Sequence, residues 1–278
     1  MKLIDYIKEK ENEASLKGLE AEAIKKLLLE GIYHSYTNLI MNYNNEIDSH
    51  YFNIMEELTS KYIDEKLPIQ YILGYAYFRG IKLIVNNKVL IPRPETELLV
   101  DIAVKEIKEN NYQKVLDIGT GSGAIAITIK NETNVSMYAS DISSEALEVA
   151  RENAKSLNQD ITFINSDMFT NIEGTFDVIV SNPPYIDKSD INNIDEIVYR
   201  NEPHIALFSE EEGLYYYKVI IDNLDKYLNN NGVVIMEIGY NQGEKIKDYI
   251  INKKYNYDLT VIKDYNNLDR IVVLKRKM

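Results

Sequence analysis

Apolar residues along the first 75 positions recur at steps of three and four, the spacing of one buried helix face. The clearest faces are formed by two sets, Ala21, Ile24, Leu27, Leu28 and Ile32, then Phe52, Met55, Leu58 and Tyr62. No Gly-x-Gly turn occurs in this segment. We therefore predict a small helical domain over residues 1–75, either a plain packed bundle or a module that docks a partner.

The pattern changes to short apolar runs between residues 77 and 91. The runs at 81–85 and 89–91 flank Asn86 and Asn87. Because asparagine tolerates a positive φ, these runs predict a β-hairpin that turns at the two asparagines. We assign residues 76–94 to this hairpin linker, and we expect a helix to begin after Pro94.

From residue 114 onward, short apolar runs alternate with amphipathic helical patterns such as 144–157 and 214–228. Seven runs are predicted strands, at 115–118, 135–139, 161–164, 178–180, 233–238, 259–262 and 271–274. This alternation predicts an α/β domain over residues 95–278, with a doubly wound, mainly parallel sheet. The last two runs lack a clear helix between them, which favours an antiparallel pair at one edge.

Charge and composition narrow the classes of function. The chain carries 31 Lys and Arg against 44 Asp and Glu, and its net charge of −13 disfavours a duplex-DNA partner. Because there is no cysteine, and the three histidines have no metal-binding spacing, we expect no metal site. The N-terminus lacks a signal-peptide pattern and no stretch has the length of a membrane span, so we expect a cytoplasmic location.

The strongest local motif is a glycine-rich turn between the predicted strand 115–118 and the following helix. It has Asp117 two residues before it and reads Gly119-Thr120-Gly121-Ser122-Gly123. Glycines there let the backbone approach a ligand closely. Dinucleotide-binding enzymes share Gly-x-Gly, and Ala124 is a permitted variant of their third glycine, so the glycines alone leave a dinucleotide open.

Acidic residues follow the next two predicted strands. Asp141 ends the second strand about 20 residues beyond the glycines, where a carboxylate accepts hydrogen bonds from ribose hydroxyls. We expect Asp167 to end the third strand, with Met168 after it, at the edge where an adenine ring would lie. A helix cap is the alternative role for Asp141. Its position at a strand end on the ligand side favours ribose binding.

The predicted fourth strand is followed by Asn182-Pro183-Pro184-Tyr185. Two consecutive prolines stiffen the backbone, so the Asn182 carboxamide and the Pro183 carbonyl are pre-positioned acceptors. An amide nitrogen is a poor nucleophile because its lone pair is delocalised, and two acceptors on its protons would orient it. With Tyr185 lying flat against a planar group, the motif predicts methylation of an amide or an exocyclic amine, with Asn182 as the catalytic residue.

These motifs resemble those of the HemK/PrmC family, the release-factor glutamine methyltransferases. The matching stretches occur in the expected order, at residues 68–74, 91–97, 116–126, 182–186, 202–203, 237–239 and 269–270. Two positions depart from the family pattern. Met168 stands where some members carry Trp, so a flexible thioether would pack the adenine, and Asn267 replaces a usual glycine but tolerates the left-handed conformation.

The resemblance implies a Rossmann-like methyltransferase sheet with an N-terminal helical domain. Because that domain has a separate pattern and no chemical motif, our own hypothesis is that it docks the protein substrate. The resemblance also implies methyl transfer from S-adenosyl-L-methionine to the glutamine N5 of the Gly-Gly-Gln loop in peptide-chain release factors. The cofactor would be bound by Gly119 to Gly123, Asp141, Met168 and Asn182, and the glutamine by Asn182 to Tyr185. Release factors are the expected partner of a monomer that needs neither nucleic acid nor a membrane.

Three alternatives remain at this point. A sister family methylates a ribosomal-protein glutamine, but it typically has Arg-Ser-Pro where this chain has Arg93-Pro94-Glu95. An adenine-N6 DNA methyltransferase would use the same acceptors, and the net charge of −13 disfavours it. A non-catalytic binding protein on the same scaffold is disfavoured by the intact glycine turn, Asp141 and Asn182.

Overall fold

The computed structural model describes residues 1–277 and divides them into two compact units. The helical unit consists of residues 1–75 and, further along the chain, residues 195–201. The second unit consists of residues 76–194 and the described remainder of the chain. No pattern in the sequence indicates that residues 195–201 join the helical unit. Ile197 packs against that unit's apolar core, and the Asn201 side chain donates to the Lys66 carbonyl at 2.8 Å.

The helical unit consists of short helices around one apolar cluster. In chain-order numbering they are α1 (Leu3–Leu16), α2 (Glu22–Leu28), α3 (Tyr36–Met41), α4 (Ser49–Ile63), α5 (Ile69–Leu73) and α9 (Glu196–Asn201), with a π-helical turn at Leu29–Tyr33. Ser35 and Asp48 cap α3 and α4, because their side chains accept hydrogen bonds from first-turn N–H groups. The buried Tyr6 and Thr59 hydroxyls lie 2.9 Å apart and join α1 to α4.

A two-stranded hairpin follows, but its turn is not where the sequence predicted it. Its strands are β1 (Tyr75–Phe78) and β2 (Ile81–Ile84), and the turn lies at Arg79-Gly80. Both turn residues have positive φ, 48° and 75°, as in the tight turns that suit two-residue hairpins. The predicted hairpin at Asn86-Asn87 and the predicted strand at 89–91 are wrong, although the chain does turn here, where the Val89 N–H donates to the Asn86 carbonyl at 3.2 Å. The Asn86 side chain instead accepts from the Lys88 N–H at 2.9 Å and shapes an irregular loop.

Arg79 adopts its unusual conformation because several partners hold it. Its backbone N–H donates to Glu97 at 2.9 Å, and its guanidinium pairs with Asp101 and Glu132. These acidic residues come from the two helices that follow along the chain. The position of the turn therefore depends on contacts that no local sequence pattern contains.

The second unit is an α/β domain. Its helices are α6 (Glu97–Asn110), α7 (Ala124–Glu132), α8 (Ser144–Ser156), α10 (His204–Leu207), α11 (Tyr215–Tyr227) and α12 (Gly243–Asn252). Its main strands are β3 (Lys114–Ile118), β4 (Ser136–Asp141), β5 (Ile161–Asn165), β6 (Phe176–Ser181), β9 (Leu228–Glu237), β10 (Tyr257–Lys263) and β11 (Asp269–Arg276). A small pair is formed by β7 (Ile186–Asp187) and β8 (Phe208–Ser209), and 3-10 turns occur at Pro94–Thr96 and Lys188–Asn193.

The seven main strands form one sheet in the order β10-β11-β9-β6-β3-β4-β5. The strands from β9 to β5 are parallel, whereas β11 is antiparallel to both β9 and β10. The predicted α/β class, the seven-stranded sheet and the antiparallel edge pair are confirmed. Among residues 1–277, no helix is both long and apolar enough to cross a membrane.

Alternate side chains of each central strand enter two separate apolar cores. In β3, Val115 joins the cluster beneath α6 and α7, while Leu116 joins the cluster beneath α11 and α12. In β9, Ile235 joins the cluster beneath α6 and α7, while Val234 joins the cluster beneath α11 and α12. Because both faces of the sheet are covered by helices, the central strands β6 and β9 carry continuous apolar runs, at 178–180 and 233–236, rather than alternating with polar residues.

Buried Asn153 on α8 joins the hairpin to the glycine turn. Its Oδ1 accepts from the Ile84 N–H at 2.7 Å, and its Nδ2 donates to the carbonyls of Ile84 and Ser122, both at 3.0 Å. All of its polar atoms are thus used in fixing backbone. Asn153 therefore fixes the position of the glycine turn after β3 relative to strand β2.

We expect Asn153→Ala to lower the free energy of unfolding by about 2–3 kcal/mol, because it leaves buried backbone groups unpaired. Urea titration followed by circular dichroism measures the change. Glu148→Ala, on the exposed face of the same helix, is the matched control. Equal stability of the two variants would contradict the assigned role.

Candidate active site

A cleft opens at the carboxyl edge of the parallel strands, the place where open α/β sheets bind their ligands. Its walls come from the ends of β3, β4 and β6, the turn after β5, the loop at residues 88–90 and the region of α10 and α11. The predicted site residues that line it are Gly119, Gly121, Asp141, Met168, Asn182, Pro183 and Pro184. The loop 88–90, Ile205 and Tyr216 were not anticipated, since they belong to no motif.

The glycine turn presents bare backbone to the cleft. Gly119 and Gly121 have φ values of 74° and 55°, and a Cβ added at either would meet no atom within 4 Å. The turn is anchored because the N–H groups of Gly119 and Thr120 both donate to the Ser140 carbonyl at 2.9 Å. A ligand can therefore approach the backbone at the two glycines without a side chain between them.

The other three residues of the predicted glycine turn lie behind it and do not line the cleft. The Thr120 hydroxyl donates to Asp117 Oδ2 at 2.6 Å. Ser122 is buried, and its carbonyl accepts from Asn153. A Cβ at Gly123 would lie 3.0 Å from Ile127 Cδ1, so this glycine allows close packing of α7. These residues support the turn from within.

Asp141 lies on the cleft wall at the end of β4 and braces the glycine turn. Its Oδ2 accepts from the Gly121 N–H, and its Oδ1 accepts from the Ser143 N–H, both at 2.9 Å. Burial raises the pKa of this carboxyl, while the backbone N–H groups oppose the shift. The residue that caps α8 is Ser143, whose Oγ accepts from the Ala146 N–H. The carboxylate of Asp141 thus lines the cleft with lone pairs left for a hydroxyl donor.

The end of the third parallel strand differs from the prediction. β5 ends at Asn165, and Asp167 lies in the turn beyond it rather than at the strand end. The Asn165 side chain donates to the carbonyls of Asp141 and Ile142 and so ties the end of β5 to the end of β4. Asp167 and Met168 still line the cleft, and Met168 has a positive φ of 47°.

Asn182 follows β6 and is held by two buried residues from elsewhere in the chain. Its Nδ2 donates to Thr96 Oγ1 at 3.1 Å, and that hydroxyl donates to Glu237 Oε2 at 2.7 Å. Thr96 ends the 3-10 turn before α6, and Glu237 ends β9. The sequence placed both residues in matching stretches without assigning them a function. No local pattern indicates that Thr96 contacts Asn182 or that Glu237 contacts Thr96.

Tyr185 is the one residue of the Asn-Pro-Pro-Tyr motif outside the cleft lining. Its ring packs against the core beneath α11, and its carbonyl accepts from Gln242 Nε2 at 3.0 Å. Burial and the nearby Glu237 raise the pKa of its hydroxyl to about 12, with Arg270 opposing. A Cβ at Gly213 would lie 2.2 Å from the Tyr185 carbonyl oxygen, so only glycine fits there. The motif is therefore anchored at both ends.

Comparison with known proteins decides the family. Residues 95–204 match the family model of the methyltransferase small domain. The release factor glutamine methyltransferase of Streptococcus pneumoniae is 40% identical over 275 residues, covering 99% of this chain and 98% of that protein. The enzyme of the same name from Lactococcus lactis is 44% identical over 217 residues, covering 78% and 80%. The chain belongs to the release factor glutamine methyltransferase family.

A solved methyltransferase from Pyrococcus furiosus has the same fold. It superposes with a TM-score of 0.53 at 20% identity, covering 82% of this chain and 99% of that one. As a member of the glutamine methyltransferase family, the chain is an enzyme whose methyl donor is S-adenosylmethionine. The family resemblance, the enzyme class and the cofactor expected from the sequence are confirmed. The dinucleotide and the non-catalytic binding protein are no longer alternatives.

The cleft of this glutamine methyltransferase fits the cofactor on its own geometry. The bare backbone at Gly119 and Gly121 admits a close ligand, and the carboxylate of Asp141 can accept from ribose hydroxyls. Met168 offers an apolar thioether to an aromatic ring. Asn182 and Pro183 lie on the same cleft, so a methyl acceptor held by them would lie beside the donor.

Asp117 lies fully buried beneath the glycine turn. Burial raises its pKa to about 7, and the hydrogen bond from the Thr120 hydroxyl only partly opposes this shift. Its Oδ1 has no hydrogen-bond partner among residues 1–277. A carboxyl in this position is costly in its charged form.

Asp117 should make the free energy of unfolding depend on pH. Between its ordinary pKa of 3.8 and its folded pKa of about 7, the folded chain holds a proton that the unfolded chain has released. The contribution of Asp117 to the unfolding free energy therefore falls as pH rises through this interval and levels off above it. We expect Asp117→Asn to remove this fall, so its melting temperature relative to the wild type should increase from pH 4 to 7. Asp160→Asn, at an exposed position, is the control, and parallel curves for Asp117→Asn and wild type would refute the idea.

Proposed function

We propose that the chain transfers a methyl group from S-adenosylmethionine to the side-chain N5 of the glutamine in the Gly-Gly-Gln motif of a peptide-chain release factor. One observation carries this proposal: Asn182 and Pro183 line the same cleft as the bare glycine turn. An acceptor pair for an amide NH₂ thus adjoins the cofactor wall. The names of the relatives from S. pneumoniae and L. lactis support the same substrate.

The chain's own residues position and polarise the reacting groups, and none of them acts as a strong acid or base. When bound, the cofactor supplies an electrophilic methyl group on a sulfonium sulfur. Gly119 and Gly121 leave room for it, and Asp141 accepts from its ribose hydroxyls. The Asn182 Oδ1 and the Pro183 carbonyl accept the two amide protons of the glutamine, which directs the nitrogen lone pair toward the methyl. The nitrogen releases one proton to these acceptors or to water as it gains the methyl.

With release factors as substrate, we propose that the enzyme acts in the cytoplasm, as a monomer, on the protein alone. The net charge of −13 supports a role without direct contact to nucleic acid. A ribosomal-protein glutamine is the competing substrate. Mass spectrometry of both candidate proteins after incubation with labelled cofactor distinguishes them, because the methyl is mapped to one glutamine or the other.

We further propose that the helical unit docks the protein substrate. Support comes from α3, where Tyr36, Ile40 and Met41 are 55%, 45% and 73% exposed. Three large apolar side chains on so short a helix form a surface that a protein partner can cover. The catalytic cleft described above belongs to the other unit, so the helical unit is free to serve recognition.

The docking proposal predicts a change in KM alone. Replacing both Ile40 and Met41 by serine should raise KM for an intact release factor about tenfold, because the apolar contact area is lost. Turnover of a short Gly-Gly-Gln peptide should not change. Leu16→Ser, at an 80% exposed position on α1, is the control. An unchanged KM for the intact factor would rule out docking through α3.

The role of Asn182 is tested by three variants. Asn182→Ala should slow single-turnover methylation about 10²-fold or more, as expected for removal of a preorganised polar group. Asn182→Asp should also be slow, because it adds a negative charge beside a cationic sulfonium. Tyr185→Phe should cost much less. Calorimetry with the cofactor serves as the control for binding, and near-normal methylation by Asn182→Ala would eliminate the assigned role.

A further inference from the structure

Three side chains form a continuous hydrogen-bonded chain from the cleft wall into the protein interior. Asn182 Nδ2 lies 3.1 Å from Thr96 Oγ1, which lies 2.7 Å from Glu237 Oε2. Thr96 is 5% exposed and Glu237 is 1% exposed, so water does not compete for these bonds. The chain begins at a residue of the proposed reaction site and ends at a buried carboxylate.

The direction of these hydrogen bonds follows from the chemistry of the groups. The Thr96 hydroxyl has a single proton and donates it to Glu237 Oε2, the direction that an ionised carboxylate, which can only accept, requires. Thr96 can then offer only lone pairs to Asn182, and it must meet the NH₂ end of that carboxamide. The Asn182 Oδ1 is left facing away from Thr96, with no hydrogen bond to the rest of residues 1–277 in the structure.

We propose that Thr96 and Glu237 are positioning residues that orient the Asn182 carboxamide so that its oxygen, and not its NH₂ group, meets the substrate amide. This inference rests on the proposed function, because it deepens the role given to Asn182. A carboxamide turned by 180° would present donors to a substrate NH₂ group that needs acceptors. Thr96 and Glu237 prevent this 180° turn of the Asn182 carboxamide, which by itself has almost no steric cost.

The fold explains why these residues meet. β6 and β9 are parallel neighbours in which Ser181 lies beside Met236, so Asn182 and Glu237 follow at adjacent strand ends. The 3-10 turn Pro94–Thr96 brings the threonine hydroxyl between them. Burial raises the pKa of Glu237 to about 7, while the Thr96 hydroxyl and the positive charge of Arg270 favour the ionised acceptor.

The test compares two substitutions that differ only in the hydroxyl. Thr96→Val keeps the shape of the side chain but removes the acceptor for Asn182, and should slow single-turnover methylation of a release factor about tenfold. Thr96→Ser retains the hydroxyl and should stay within about threefold of wild type. Cofactor affinity by calorimetry should be unchanged in both. Thr128→Val, at an equally buried threonine whose hydroxyl bonds within α7, controls for loss of a buried hydroxyl.

A double-mutant cycle distinguishes positioning from a purely structural role. If Thr96 acts through Asn182, Thr96→Val should cause no further loss of rate in an Asn182→Ala background. Glu237→Gln is the second variant in case Thr96→Val does not fold. Its amide can either donate to or accept from Thr96, so it no longer enforces one direction and should be several-fold slow, again with no further effect in Asn182→Ala.

These measurements distinguish a failure of the proposed function from a failure of the positioning role alone. Wild-type enzyme that leaves the release-factor glutamine unmethylated overturns the proposed function and this inference together. Wild-type methylation accompanied by full-rate Thr96→Val and Glu237→Gln overturns the positioning role alone. The positioning role is also wrong if Thr96→Val slows the Asn182→Ala enzyme as strongly as it slows the wild type.

Discussion

The parallel pairing of β3 with β4 on one side and β6 on the other is the constraint on which the active site depends. Parallel strands end at the same edge of a sheet, so the segments that leave these three strands meet in one place. The glycine turn, Asp141 and the Asn-Pro-Pro-Tyr motif are those segments. Two apolar cores, one on each face, hold the strands in this register and leave only their ends free for chemistry.

At and beneath this edge, the enzyme uses polar side chains to hold backbone and other side chains in position. Asp141 braces the glycine turn, Gln242 holds the Tyr185 carbonyl, and Glu237 ends the chain that begins at Asn182. Burial raises the pKa of both Asp117 and Glu237 to about 7, so each is costly to keep charged. Such costs are typical of sites where geometry matters more than stability.

Much of the fold could be predicted because most of the main strands contain a short apolar run, such as 178–180 in β6, flanked by polar residues. Predictions failed where tertiary contacts override local preference. Strand β9 begins at Leu228, well before the predicted 233, although Asn229 to Asn231 favour a turn. The Asn229 side chain donates to Asp177 at 2.6 Å on the neighbouring strand and so continues the pairing. Helix α12 is absent from the predicted elements, although its buried residues Ile246 and Ile250 have helical spacing.

The sequence by itself determined the class of fold, the family, the cofactor and the order of the motifs, because each is encoded in residues adjacent along the chain. Only the tertiary structure decided which residues stand behind those motifs. Thr96 is separated from Asn182 by 86 positions and from Glu237 by 141, yet their polar atoms are in direct contact. Hydrogen bonds between such distant residues depend on strand order, register and burial, which are properties of the packed chain and of no local pattern.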